Sequence, residues 1–111
     1  MWYKNKVDAS PGETIYEIIT KEDGLSFGLA IADIMQSEAH RHDSITEIYS
    51  VLEGEIELAV NGHTKILVCG DSDTIRPGTI HSARSLTDQQ ARVSVISIPP
   101  WNPGDHHLVK Q

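Results

Sequence analysis

Three histidines and a glutamate in this chain have the types and spacing to hold a metal ion. His40 and His42 lie one residue apart in AHRHDSITE, which runs from Ala39 to Glu47. The same stretch carries a competing local reading. Ser44 and Glu47 match a Ser-x-x-Glu capping box, and Ile45, Ile48, Tyr49 and Leu52 have helical spacing. The chemistry separates the two. On a helix, residues two apart point about 200° from one another around the axis and could not share an ion. On a strand, residues i and i+2 point to one face, so His40 and His42 could grip the same ion. Asp43 and Ser44 would then turn the chain, and Glu47 would return on the next strand. If the residues are functional, the segment is β.

RPGTIHSARS offers a further imidazole, placing His81 at the start of a strand three residues after Gly78. Imidazole and carboxylate ligands together suit a divalent transition metal. His40, His42, Glu47 and His81 would leave coordination positions open for substrate, water or oxygen, as a catalytic centre requires.

The elements that must position these residues read as short strands. ETIYEIIT (Glu13 to Thr20) and LSFGLAIADIM (Leu25 to Met35) flank the turn KEDG. EIYSVLEG and EIELAV follow, and Asn61-Gly62 joins EIELAV to HTKILV. Asn-Gly between two β-prone runs signals a tight hairpin, because both turn residues take positive φ. GDSD and RPG punctuate Gly70 to Gly78, and TIHSARSL and ARVSVISI supply the last strands. PPWNPGDHH is too rich in proline to predict regular structure. Many short strands with regular turns indicate an all-β sandwich or barrel.

The 111 residues fit one domain, and a formal charge of −7 argues against a nucleic-acid backbone or an anionic membrane surface as partner. The N-terminal MWYKNKVDAS lacks a signal-peptide core, and no run approaches the length of a membrane span. With Cys69 as its one cysteine, the chain can form no internal disulfide, and a cytoplasmic location is expected. Cys69 beside Gly70 reads as a small buried hydrophobe.

The two histidine stretches resemble the cupin family. Its first motif is Gly, five residues, His-x-His, three or four residues, Glu, six residues, Gly. His40, His42, Glu47 and Gly54 match it, with Ile34 in place of the opening glycine. Its second motif is Gly, five residues, Pro-x-Gly, two residues, His, three residues, Asn. Gly70, Gly78 and His81 match, with Arg76 and Ser85 replacing the proline and the asparagine. The ligand positions are kept, and the departures fall on backbone-shaping positions. TEIYSVLEGEIEL and IPPWNPGDHH are similar to small single-domain cupins of the mannose-6-phosphate-isomerase-like group.

The resemblance implies a double-stranded β-helix, or jelly-roll barrel. It implies a single cupin domain over 1–111, with a core barrel over about 13–98 and a proline-rich tail over 99–111. It also implies a homodimer and one divalent ion, Fe, Mn, Ni or Zn, held by His40, His42, Glu47 and His81. The function expected is that of a small metal-dependent enzyme, of dioxygenase or isomerase/lyase type, acting on a small organic or sugar-like substrate. The alternative is a non-catalytic module that binds a small molecule or sugar.

The remaining residues are weighed singly. Tyr49 and Val51 continue the face of Glu47 and point inward, and the Tyr49 phenol either meets substrate or fills the core. Ala83 and Ser85 continue the face of His81 and would leave space above the metal. Arg76 either binds a substrate carboxylate or phosphate or is a solvated rim residue. Trp101 and His106 either fold over the barrel mouth or pack outside it. Tyr49 and His106 are the candidate catalytic side chains, and Arg76, Tyr49 and Trp101 the candidate substrate contacts. His63, Arg84 and Arg92 read as surface.

Overall fold

The computed structural model describes residues 1–109, so the end of the expected tail, 110–111, lies outside the described residues. Two antiparallel sheets face one another in a jelly-roll barrel. The strands are β1 (Asn5–Ser10), β2 (Glu13–Ile19), β3 (Gly28–Ile34), β4 (His40–Arg41), β5 (Thr46–Glu53), β6 (Glu55–Val60), β7 (His63–Val68), β8 (Ser72–Ile75), β9 (His81–Ser85), β10 (Ala91–Ile98) and β11 (His107–Leu108). One sheet has the order β1-β2-β3-β10-β5-β8, and the other β11-β4-β9-β6-β7.

The helical reading of Ser44 to Leu52 fails. In β5, Glu47, Tyr49 and Val51 are buried, while the residues between them are at most half-buried. The β-branched and aromatic residues of this stretch suit a pleated surface, and burying that face decides the conformation. Asn61 and Gly62 have φ of 48° and 82°, as the hairpin signal requires.

The core lies between the sheets around Ile34, Ile56, Leu58, Ile75 and Val93. Ala30 and Ala32 of β3 keep part of the interior open. Ala32 pairs with Ile15 and Val93, and Ala30 pairs with Glu17 and Val95. These methyl groups leave room between β2 and β10 where larger residues would close the barrel. Both alanines line the resulting cavity.

Four features depart from the sequence reading. β1 lies before the expected core and pairs with β2, its outer end held by the packed rings of Trp2, Tyr3 and Tyr16. β8, read as punctuation, pairs with β5 at a sheet edge, where a short polar strand needs only one bonded side. The proline-rich tail is not irregular throughout. Pro103–Asp105 form a 3-10 turn, and β11 pairs with β4. Cys69 is exposed, not buried, because it follows edge strand β7 at the turn made by Gly70. Its thiol reaches the carbonyl of Leu52 at 3.2 Å.

Candidate metal centre

The centre is assembled from both sheets. His40 on β4 pairs directly with His81 on β9, so their side chains stand side by side on the inner face. Glu47 points in from β5 on the opposite sheet. His42 lies in the bend between β4 and β5. All four side chains are buried, and one ligand atom from each lies within 4.8 Å of the others. Glu47 Oε1 is 3.0 Å from His81 Nε2 and 3.1 Å from His42 Nε2.

The ring nitrogens away from the cluster all meet main-chain carbonyls. His40 Nδ1 donates to Glu38 at 2.8 Å, His81 Nδ1 to Thr79 at 3.1 Å, and His42 Nδ1 to Asp105 at 2.7 Å. A carbonyl only accepts, so each Nδ1 carries a proton and each ring turns its Nε2 toward the cluster, where that of His81 meets the Glu47 carboxylate. His42 Nε2 is buried and is not aligned for a hydrogen bond with Glu47. Three converging Nε2 atoms and a carboxylate fit a divalent transition metal, and the carbonyls supply the outer support that metal-binding imidazoles need.

The electrostatics agree with this division of roles. Burial opposes charge on Glu47, but His42 and His81 outweigh it and hold the carboxyl below its usual range. Burial and the neighbouring His81 press His40 down to about 4, so it is neutral at physiological pH. Burial also opposes charge on His42, but Glu47 and the Asp105 carbonyl together shift it upward. A cation at the centre of the cluster meets the demand that Glu47 otherwise places on its histidines.

Above the ligands lies a cavity of about 330 Å³, lined by His40, His42 and Glu47 among others. Tyr49, Trp101 and His106 line it too, so the structure brings these expected site residues together. His106 stacks on His40 with ring centroids 4.7 Å apart, and Trp101 meets His106 edge-on at 6.1 Å. The tail therefore folds over the mouth. Burial keeps the Tyr49 phenol protonated well beyond its ordinary range. Burial and His42 push His106 downward, toward the neutral imidazole.

Arg76 does not join them. It is exposed in the turn after β8, away from the cavity lining, so the substrate-contact reading gives way to the solvated-rim reading. Ala83 and Ser85 are buried as expected but do not open space above the metal. They lie outside the lining, and Ser85 Oγ donates to the carbonyl of Gln89 at 2.6 Å. The open space comes from Ala30 and Ala32. His63 and Arg84 are exposed, whereas Arg92 is half-buried and paired with Asp33 at 2.8 Å.

Two functional candidates escaped the sequence reading. Glu13, the first residue of β2, lines the cavity together with Glu17 and Asp8. Its carboxyl makes no hydrogen bond to any described residue. Burial, reinforced by the negative Glu47, raises it from 4.5 to about 7. The alternation Glu13, Ile15, Glu17 was its only signal, and two carboxylates on a face ordinarily mark the solvent side. The second is Asp105, which braces the turn beside His42 from 63 positions away in sequence. Pairing at that distance leaves no local pattern.

The sequence pattern of the cupin domain matches residues 33–99. No curated protein sequence matches the chain. Among solved structures, a protein from Planctomyces limnophilus superposes with a TM-score of 0.82 at 23% identity, covering 94% of this chain and 89% of that one. The nucleoside dehydratase Pac13 of Streptomyces gives a TM-score of 0.80 at 14% identity, covering 96% and 84%. The polyketide cyclase RemF of Streptomyces resistomycificus gives 0.76 at 22%, covering 93% and 75%. At these identities the likenesses speak for the fold alone. The domain match covers more than half of the sequence and includes all four candidate ligands, and this chain belongs to the cupin family.

Proposed function

We propose that this protein is a metal-dependent cupin enzyme whose substrate is a small uncharged or cationic organic molecule. We further propose that its reaction is proton-transfer chemistry of the lyase, cyclase or isomerase kind. The single observation that carries this reading is the placement of a buried three-histidine, one-glutamate cluster and a carboxyl without a hydrogen-bond partner among the described residues, Glu13, in the same cavity.

His40, His42, His81 and Glu47 would hold the ion through Nε2 and carboxylate oxygen. When bound, such an ion supplies Lewis-acid polarisation of a substrate oxygen. Glu13 would take or deliver the proton, since a group titrating near the working pH serves best as general acid or base. Tyr49 can donate a hydrogen bond but not act as a base, because its phenol stays protonated. His106 is a second group able to relay a proton, and Trp101 offers an apolar face to hold the substrate.

The charge of the lining narrows the substrate class. Asp8, Glu13, Glu17 and Glu47 line the cavity, and no described lysine or arginine does. A phosphate or polycarboxylate would enter against three acidic side chains without a cationic partner beyond the metal. Hydroxyl, carbonyl or amine groups suit the site better. Two structural neighbours are named as a dehydratase and a cyclase, and forms of the dehydratase are recorded with uridine, an uncharged ligand.

The test is reconstitution. Metal-stripped protein is reloaded singly with Fe(II), Mn(II), Ni(II) or Zn(II) and offered panels of neutral polyols, nucleosides, amines and sugar phosphates. Turnover of a neutral or cationic compound with no uptake of oxygen is expected. Metal-dependent oxygen consumption would replace this reading with the dioxygenase one. Ligand binding without turnover under every metal would favour the binding module.

A further inference from the structure

The anchors of the three histidines are not alike. His40 and His81 each take their Nδ1 partner from a carbonyl two residues earlier in their own segments, Glu38 and Thr79. Both anchors are local, lying just before β4 and β9. His42 has no such local partner. Its Nδ1 donates to the carbonyl of Asp105, in the C-terminal tail.

The tail is fastened to the same turn by more than that contact. The Asp105 carboxylate accepts the backbone N–H of Asp43 at 2.7 Å and that of Ser44 at 2.9 Å, one on each oxygen. Those two donors and the His42 ring cover three consecutive residues of the ligand loop. On the tail side, Asn102 caps the 3-10 turn that presents Asp105, accepting the N–H of Gly104 at 2.9 Å. Beyond it, His107 and Leu108 pair with Arg41 and His40, and the N–H of Val109 reaches the carbonyl of Ala39 at 3.0 Å. From the opposite side, the N–H of Gly78 donates to the carbonyl of His42 at 2.6 Å. The His42 backbone is thus tied to the barrel, while its ring and the following turn are tied to the tail.

We propose that Asp105 is a positioning residue of the metal centre, so that docking of the C-terminal tail and binding of the metal are one coupled equilibrium. This rests on the reading of His40, His42, Glu47 and His81 as metal ligands. With Asp105 seated, the His42 ring is fixed in the tautomer and direction that aim Nε2 at the ion. Without the two carboxylate contacts, the Asp43-Ser44 turn and the Asp105 carbonyl lose their common reference, and the ring is free to rotate. Supporting partners of this kind are worth roughly 10–100-fold in metal affinity. The coupling is reciprocal, so an ion held by His42 must also stabilise the docked tail. The tail carries Trp101 and His106 over the cavity, so the same equilibrium sets whether the pocket has its roof.

The experiment measures Zn(II) and Mn(II) affinity by chelator competition for the full chain, Asp105→Ala and Asp105→Asn. Hydrogen exchange of residues 105–109 is followed with and without metal. Asp105→Ala is expected to bind roughly 10–100-fold more weakly. Asp105→Asn, which keeps one acceptor oxygen, should recover part of the loss. In the unmodified chain, metal should slow exchange of the Asp105 and Val109 amides. Should Asp105→Ala fail to fold, the Asp105→Asn affinity and the exchange result decide. Affinities within twofold of one another, with tail exchange indifferent to metal, would overturn the coupling while leaving the metal centre intact. An unmodified chain that binds neither ion would overturn the metal reading itself.

Discussion

The two walls of the cavity are built on opposite plans. On the histidine wall every ligand ring is committed, with Nδ1 on a main-chain carbonyl and Nε2 facing inward. On the wall formed by β1 and β2, Glu13 makes no hydrogen bond to a described residue, and its neighbours Asp8 and Glu17 form side-chain contacts with Thr14 and Asn5. The first wall spends its polar atoms on orientation, as a site for an ion must. The second leaves a carboxyl unbonded at the cavity, where burial rather than a partner sets its affinity for a proton. The comparison separates the group that would hold charge from the group that would move it.

The largest way to break the contrast is on the histidine wall. His81→Ala removes a ligand outright, and its metal affinity should fall by more than the roughly 10–100-fold expected of a supporting partner. Equilibrium dialysis with metal analysis measures this. Retention of stoichiometric metal would move the centre elsewhere.

On the acidic wall, Glu13→Gln should leave metal content unchanged and lower turnover by roughly 10²–10⁴-fold, the range for a lost general acid or base. The pH profile of kcat/KM should lose the limb contributed by Glu13. Equal activity in the variant would reduce the acidic wall to shaping the pocket.

The same substitution has a smaller consequence for stability, best read on metal-free protein. Glu13 is raised on folding from 4.5 to about 7, so the native state holds the proton more tightly than the unfolded chain. Its contribution is full below about 4.5 and is lost as pH rises through about 7, because ionising it in the folded barrel is costly. Glu13→Gln should therefore gain stability relative to the parent between pH 5 and 8, by an amount on the order of 3 kcal/mol. Urea denaturation at the two pH values measures it. A difference that does not change with pH would mean that the carboxyl is not desolvated.

The smallest effect is expected at Arg76. Exposed and outside the cavity, Arg76→Ala should change stability by no more than about 0.5 kcal/mol and leave substrate KM unaltered. A raised KM would return it to the site.

What the sequence made legible followed from local period and spacing. His40 stands on β4 and His42 just past its end, both buried among the ligands as the spacing suggested, although the strand does not reach His42, and Asn61-Gly62 forms the expected hairpin. The buried alternation of Glu47, Tyr49 and Val51 was readable in the same way. The acidic wall was misleading for the same reason. Glu13 and Glu17 alternate with Ile15, and nothing local says that the face carrying two carboxylates turns inward. That depends on Ala30 and Ala32 opening the barrel across two strand pairings. Asp105 was hidden more completely, because its partners lie at the other end of the folded chain. Cys69 and β8 were misjudged where the decision belongs to sheet-edge geometry rather than composition.

The central claim is one ion among four named side chains, and anomalous scattering from crystals of metal-reconstituted protein tests it most directly. A single strong peak bonded to the Nε2 atoms of His40, His42 and His81 and to the carboxylate of Glu47 is the predicted result. A barrel without a peak there, or an ion bound instead at the partly exposed group of Asp43, Asp105 and His107, would contradict it.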